Sequence, residues 1–511
     1  MEPSRAVHGS TLVADDDVRD ARPLLDEIRA LYRADAFPWV VGYSGGKDST
    51  ATLQLVWYAL AGLDPAERTK PVHVISTDTL VENPIVAAWV DKSLDTMRAA
   101  AAREGIPIHP HRLTPAVADT FWVNLIGRGY AAPRPKFRWC TERLKIRPSN
   151  AFINAIARES GEAIVVLGTR KDESRARARS MQRFEKLRVR DKLSPNGNLP
   201  GSLVYTPIED WSNDDVWIYL LQVPNPWGHD NKALLTMYKG ASADGECPLV
   251  VDASTPSCGD SRFGCWVCTM VEQDKSMAAM IQNDAEKEWM LPLLELRNEL
   301  DVLDDRHLRD FRRINGLLQI HNGRLLHGPY KQEARERWLR RLLDVQELVR
   351  AHGPASVRDI QLVTLPELAE IRRIWVVEKH EIEDRLPRIY EEATGRPYPG
   401  PPLGESLLFD DEDIALLREA CDGDPLRFQL ARELLAVERS HRSMARRAGL
   451  YDALGKTLRR SFYEDEQDAE QVALQRQRAR DAIEKARAEK GRFQQLPLLD
   501  VVDAPATQGP G

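Results

Sequence analysis

A short apolar run that stops on a glycine turn and restarts as a helix constrains this chain more than any other feature. Pro38-Trp39-Val40-Val41-Gly42-Tyr43 reads as a buried strand, and Asp48 to Ala61 carries Leu53, Leu55, Val56 and Leu60 at roughly helical spacing. Between them lies Ser44-Gly45-Gly46-Lys47-Asp48-Ser49-Thr50. Two glycines let the backbone curl so that successive N–H groups and the helix N-terminus face one anion. The order strand, glycine pair, lysine, hydroxyls predicts a phosphate seat rather than a turn that merely needs glycine. It is not a Walker A loop, because Val41 stands where the first glycine is required and Asp48 where Ser or Thr should follow the lysine.

The same alternation continues. Leu24 to Tyr32 reads as a helix, Val72 to Ser76 as a strand, Pro84 to Glu104 as a long helix, and Ile106 to His109 as a third strand. Ala163-Ile164-Val165-Val166-Leu167 is the clearest buried strand, and Ser212-Asn213 cap a helix over Asp214 to Leu221. This pattern predicts an α/β fold with an open parallel sheet joined by crossover helices. Ser76-Thr77-Asp78-Thr79 and Gly168-Thr169-Arg170 close two of the strands at their carboxyl ends, where such sheets bind ligands. Asp78 is a candidate for ribose or magnesium, and Arg170 for phosphate. Pro207 to Trp211, followed by Asp214-Asp215-Val216-Trp217, is either an aromatic-anchored capped helix or a further ligand segment.

With 511 residues the chain is long for one domain. Its pattern divides it into an α/β domain over 20–285, a helical region with a small hairpin at Asn322-Gly323 over 286–393, a Pro/Gly-rich linker over 394–405, a helical region over 406–493 and a flexible tail over 494–511. No run of eighteen apolar residues occurs, so no membrane span is expected, and the amino-terminal stretch lacks the apolar core of a signal peptide; a cytoplasmic protein is expected. The net charge of −7 argues against indiscriminate nucleic-acid attraction. It hides a basic run from Arg175 to Lys192, with Arg175, Arg177, Arg179 and Arg183 foremost, whose local balance is +6. That run is either a solvated charged loop or a path for a polyanion beside the predicted site. Five of the six cysteines precede residue 270: Cys140, Cys247, Cys258, Cys265 and Cys268. Four thiolates hold a tetrahedral zinc or an iron–sulfur cluster, and spacing does not choose between them. Cys421 stands alone and reads as structural.

Ser44-Gly45-Gly46-Lys47-Asp48-Ser49 resembles the signature of the PP-loop ATP pyrophosphatases, whose fold is an open parallel sheet of the adenine nucleotide alpha-hydrolase type. The resemblance implies ATP and Mg2+ at Ser44, Gly45, Gly46, Lys47, Asp48, Ser49 and Thr50, with Asp78, Gly168 and Arg170 nearby, cleavage between the α and β phosphates, and Lys47 and Asp48 in the chemistry. Pro207 to Trp217 is similar to a segment of the phosphoadenylylsulfate reductases. Arg138-Trp139-Cys140-Thr141, with Lys145 and Pro148, matches the early cysteine motif of the cluster-bearing reductases, although one cysteine stands where they have an adjacent pair. That likeness implies a [4Fe-4S] cluster on Cys140, Cys258, Cys265 and Cys268, with Cys247 as persulfide carrier or alternate ligand. From about Trp39 to Met270, the stretches around Glu246-Cys247-Pro248 and Cys258-Gly259-Asp260 included, the chain most resembles the DndC-type DNA phosphorothioation sulfurtransferases. DNA, a cysteine desulfurase as sulfur donor and other Dnd proteins are the partners this implies. The alternatives are a phosphoadenylylsulfate or adenylylsulfate reductase, which needs a cysteine near the chain end, and a non-catalytic scaffold, which has no use for an intact loop.

Overall fold

The computed structural model describes residues 20–242, 263–313, 316–404, 409–442, 447–461 and 463–493. Cys247 and Cys258 and the expected tail lie outside the described residues. The chain divides into two compact units, one of Met1–Leu303, Arg335–Ile374 and Arg385–Pro402, the other of Asp304–Ala334, Trp375–Asp384 and Leu403–Gly511.

The first unit is built on a sheet of six strands, β1 (Trp39–Gly42), β2 (Val72–Thr77), β3 (Ile108–Leu113), β4 (Ala163–Val166), β5 (Ser194–Pro195) and β6 (Ser202–Tyr205), in the order β3-β2-β1-β4-β6-β5. All neighbours are parallel except β5, which runs against β6. Its helices begin with α1 (Arg22–Arg33), α2 (Lys47–Ala61), α3 (Pro84–Glu104), α4 (Arg147–Ser160), α5 (Arg175–Glu185), α6 (Asn213–Gln222), α7 (Asn231–Gly240), α8 (Lys275–Asn283) and α9 (Leu291–Leu300). β1 pairs with β2 on one side and β4 on the other, Val41 lying beside Val74 and Val166. The chain therefore reverses its direction of winding at the β1/β4 boundary, and a crevice opens at the carboxyl ends of those two strands. This open, mostly parallel sheet is the fold class expected from the alternation.

Each face of the sheet is covered. Trp39, Val41, Val72, Val74, Ile164 and Val166 pack on Leu53, Val56, Trp57 and Leu60 of α2 and on Leu94 and Met97 of α3. On the other face Val40, Ile75 and Val165 meet Ile153 of α4. α3 spans the expected residues because its ends are coded locally: Asn83 Oδ1 accepts from the Ile85 amide at 3.0 Å, Pro84 follows, and Gly105 closes the helix at φ 60°. β3 differs from expectation. The Ile106 amide is spent on the end of α3, donating to the Ala101 carbonyl, and the strand instead follows β2 as far as Leu113 opposite Thr77.

Three further helices, α10 (Gln332–His352), α11 (Leu365–Arg373) and α12 (Leu386–Thr394), follow, and most of their residues belong to the first unit. The second unit contains a hairpin of β7 (Ile320–His321) and β8 (Arg324–Leu325), turned at Asn322 (φ 50°) and Gly323 (φ 75°) as the Asn-Gly pair predicts. It also contains α13 (Asp411–Ala420), α14 (Pro425–Arg442), α15 (Leu450–Ser461) and α16 (Glu466–Phe493). Phe311, Leu325, Ala469 and Ala473 form one small core there, and Ile414, Cys421 and Phe428 another. No described helix is long and apolar enough to cross a membrane.

Candidate functional site

Ser44–Gly46 bridges β1 and the N-terminus of α2 in the crevice. Gly45 sits at φ 74°, and a Cβ there would come within 2.5 Å of Val90, so both backbone freedom and close approach require glycine. The loop is tied to itself and to α3: the Ser44 amide donates to Ser49 Oγ (3.2 Å), Ser49 Oγ–H donates to the Gly46 carbonyl (3.0 Å), and Trp89 Nε1–H donates to the Gly45 carbonyl (3.2 Å). Gly46 caps α2 in extended conformation with no capping side chain of its own, so the first amides of the helix are left to partners outside it. Ser49 and Thr50 are buried behind them.

Asp48 ties the two cations of the crevice together. Lys47 Nζ donates to Asp48 Oδ2 at 3.1 Å and Arg170 Nε to Asp48 Oδ1 at 2.6 Å. Arg170 is 3% exposed and spends Nη1 on the Trp211 carbonyl (3.2 Å). The Pro207–Trp211 segment thus acts here as the shelf that orients Arg170, and Ser212 and Asp215 form the capping box of α6. Gly168 admits no Cβ, which would lie 2.7 Å from the Asp48 carbonyl, so the end of β4 rests directly on α2. Asp78 is engaged by Arg112 and accepts from the Leu80 amide at 2.8 Å.

The cysteines gather at the start of α3. Cys265 pairs through its backbone with Glu82, the Trp266 amide donates to the Val81 carbonyl (2.9 Å), and Thr79 Oγ1 lies 3.3 Å from Cys265 Sγ. The Cys268 amide closes the C-x-x-C turn onto the Cys265 carbonyl at 3.1 Å. Cys140 enters a widened helical turn over Thr141–Ile146 that carries Lys145, whose ammonium lies 3.7 Å from Glu82. Cys265 above all, with Glu82, Cys268 and Cys140, holds the Lys145 ammonium above its usual range. Burial pushes the Cys265 thiol up to about 11 and raises the Cys140 thiol and the Glu82 carboxyl as well. Three described thiols therefore share one cation, a donor set suited to an anionic thiolate-bound cluster; no three donors among the described residues lie close enough to hold a single ion.

Two residues absent from the sequence reading complete the site. Arg297, 1% exposed, donates Nε to the Cys268 carbonyl (3.0 Å), Nη1 to that of Glu272 (3.1 Å) and Nη2 to that of Val271. It also pairs with Asp301, as does Arg134 from the segment before Cys140. Tyr238 of α7 lies against the Ser44–Gly46 turn, its Oη accepting from the Lys47 amide at 3.4 Å. Neither role has a local signal, since the Lys47 amide that Tyr238 meets and the carbonyls that Arg297 holds are remote in sequence.

The basic run separates into two parts. Arg188 is bonded to Glu209, Arg190 to Asp35 and Glu162, Lys192 to Glu27 and Arg177 to Glu173. Arg175 and Arg179 on α5 are exposed and carry no ion pair among the described residues, and Arg183 lies over the Phe184 ring at 4.9 Å. The +6 of the sequence is largely neutralised by acids from other elements.

Residues 38–227 match the family model of the Phosphoadenosine phosphosulfate reductase domain, a stretch that holds the loop, Asp78, Gly168 and Arg170 and stops before Cys265. An uncharacterized protein of Methanocaldococcus jannaschii is 28% identical over 200 residues, 39% of this chain and 35% of that protein's length. Two solved structures resemble part of the chain at 12% identity. FMN adenylyltransferase of Candida glabrata, in complex with FAD and inorganic pyrophosphate, covers 48% of this chain and 73% of its own at a TM-score of 0.26. The U34-tRNA thiolase NcsA of Methanococcus maripaludis, with its [4Fe-4S] cluster, covers 55% and 82% at a TM-score of 0.25.

Proposed function

We propose that this chain is an ATP-dependent sulfurtransferase that activates a DNA backbone phosphate for replacement of a nonbridging oxygen by sulfur. The observation that carries the reading is the span of α3: Val90 abuts Gly45 of the phosphate loop, and Asn83, seven residues earlier, bonds to the Gly264 carbonyl beside Cys265. Seven helical residues rise about 10 Å. Nucleotide seat and thiols are thus neighbours, as transfer of sulfur onto an adenylylated acceptor requires.

In this reading the α2 amides and Lys47 neutralise the charge that develops on departing pyrophosphate, and Asp48 holds Lys47 and Arg170 in place for it. Asp78 is the candidate for Mg2+ or ribose once Arg112 is displaced. The acceptor oxygen attacks the α-phosphorus of ATP and pyrophosphate leaves. The outer sulfur of a persulfide supplied by a cysteine desulfurase attacks the acceptor phosphorus and AMP departs. A second thiol then attacks the inner sulfur of that S–S bond, releasing the phosphorothioate and leaving a disulfide that an external dithiol reduces. Cys140, Cys265 and Cys268 would hold a [4Fe-4S] cluster, with Cys247 or Cys258 as further ligand or sulfur carrier. Such a cluster, when bound, supplies iron at which sulfur is held. Arg175, Arg179 and Arg183 are the residues offered to the DNA backbone, and other Dnd proteins are the expected companions.

The domain match favours one other reading, reduction of a sulfonucleotide. Cys421, the last cysteine, is buried against Ile414 and Phe428, a poor position for the exchangeable thiol that reaction needs. The deciding experiment incubates the intact chain with ATP, DNA and a persulfide donor, then quantifies pyrophosphate and nuclease-released phosphorothioate dinucleotides. Both products are expected, and both are lost in Lys47→Ala. Sulfite from a sulfonucleotide with no phosphorothioate would replace this proposal by the reductase.

A further inference from the structure

Tyr238 stands beside the head of α2, at the edge of the place where an anion would arrive. The Lys47 amide donates to its Oη across 3.4 Å, a stretched bond. A Cβ on Gly46 would come within 3.2 Å of the same oxygen, so the second glycine of the loop makes room for the phenol as well as for the turn. The ring is wedged edge-on between Trp217 (5.1 Å) and Phe263 (4.6 Å), and Lys47 Nζ lies 5.8 Å from its centre. Burial raises the phenol's pKa, so it stays neutral and keeps its proton. That proton has no acceptor among the described residues.

We propose that Tyr238 is a substrate-contacting residue that donates a hydrogen bond to the β- or γ-phosphate of ATP and to the pyrophosphate it becomes. The proposal rests on the nucleotide reading of the loop and adds to it a donor that comes from α7. Asp48 already engages both Lys47 and Arg170, so the seat carries little spare positive charge. A neutral, rigidly held donor adds direction for an incoming phosphate without a further cation to retain the product. A phenol serving merely as a plug would act in the opposite sense, since it would have to be expelled before phosphate could bind.

The test is calorimetric titration of the full chain with inorganic pyrophosphate plus Mg2+, and separately with AMP, for the wild type, Tyr238→Phe and Lys47→Ala. Phenylalanine keeps the edge-on packing, so an unchanged melting temperature is expected. Pyrophosphate should bind Tyr238→Phe roughly tenfold more weakly, with AMP affinity equal in the two proteins. Unchanged or tighter pyrophosphate binding in Tyr238→Phe, alongside weakened binding in Lys47→Ala, overturns the role of Tyr238 and leaves the loop reading standing. Pyrophosphate binding that is absent from the wild type, or indifferent to Lys47→Ala, overturns both.

Discussion

Gly168 shows how a single missing carbon positions the crevice. Its φ lies outside the left-handed region, so glycine is needed for space alone: a Cβ would meet the Asp48 carbonyl at 2.7 Å and Thr52 Oγ1 at 2.9 Å. The first of these is helix backbone and cannot swing aside. Gly168→Ala is expected to cost about 1–3 kcal/mol in urea unfolding and, by shifting Asp48 and with it Arg170, to weaken the ATP binding proposed for the crevice. An alanine variant as stable as the wild type would mean that β4 and α2 are not in firm contact. Histidine makes a second residue-level case. His229 is buried against Trp89, which holds the Gly45 carbonyl, and burial and then Lys92 push its pKa down to about 4. Burial, then His111 and His109, do the same to His73, also to about 4. The unfolded chain, with histidines near 6.5, binds these protons first, so the stabilisation is complete above about pH 6.5 and is lost as the pH falls toward 4. His229→Gln and His73→Phe should each flatten the pH dependence of the urea midpoint across that window, measured as the difference from wild type so that carboxylates cancel. Parallel curves would show that these imidazoles are as solvated folded as unfolded.

At the scale of elements, local coding explains which parts are legible in the sequence. α3 is legible to its ends because Asn83, Pro84 and Gly105 are adjacent to the helix they bound, and the loop is legible because strand, glycines and helix are contiguous. β6 has no comparable signal: Ser202–Tyr205 becomes a strand through pairing with β4 on one side and β5 on the other. Tyr238 and Arg297 escape for the same reason, as the amide Tyr238 meets lies 191 residues away and the carbonyls Arg297 holds lie 25–29 away. The basic run is not the unit its local charge suggests, because counting along the chain cannot see Asp35, Glu162, Glu27 and Glu209 arriving from elsewhere. The α5 arginines should therefore behave differently from Arg188 and Arg190. If Arg175, Arg179 and Arg183 each meet a phosphate, changing all three to Gln reduces the steepness of log K against log salt for duplex DNA by roughly 3, with the melting temperature unaltered. Arg188→Gln and Arg190→Gln should do the reverse, lowering the melting temperature and leaving the salt slope alone. A triple variant with the wild-type slope would remove α5 from the proposed DNA path.

For the molecule as a whole, the first unit does not end where the strand–helix alternation ends. Arg297 lies beyond residue 285 and satisfies three carbonyls in the turn after Cys265, while Asp301 joins it to Arg134 before Cys140. Farther along, Ile371 and Ile374 close on Gly127, where a Cβ would find them at 3.4 and 3.2 Å, and burial raises the pKa of Glu367 in the same helix. A chain cut after residue 285 keeps every strand of the sheet yet loses the clamp that joins the two cysteine segments. Removing the guanidinium leaves the part-buried carbonyls of Cys268, Val271 and Glu272 without that donor, at about 1–3 kcal/mol for each that finds no other, a sizeable part of a domain's net stability. A chain cut after Pro402 retains the clamp and α10 to α12, although Phe311 and Leu325 then lack the Ala469 and Ala473 they pack upon. Labelling with a thiol reagent followed by peptide mapping distinguishes the two. Cys265 and Cys268 should react at near wild-type rates in the chain ending at 402 and at least tenfold faster in the chain ending at 285, and Arg297→Met in the full chain should reproduce the faster rate. Equal protection in all of them would show that the strands alone hold the C-x-x-C turn and that Arg297 merely fills space beside it.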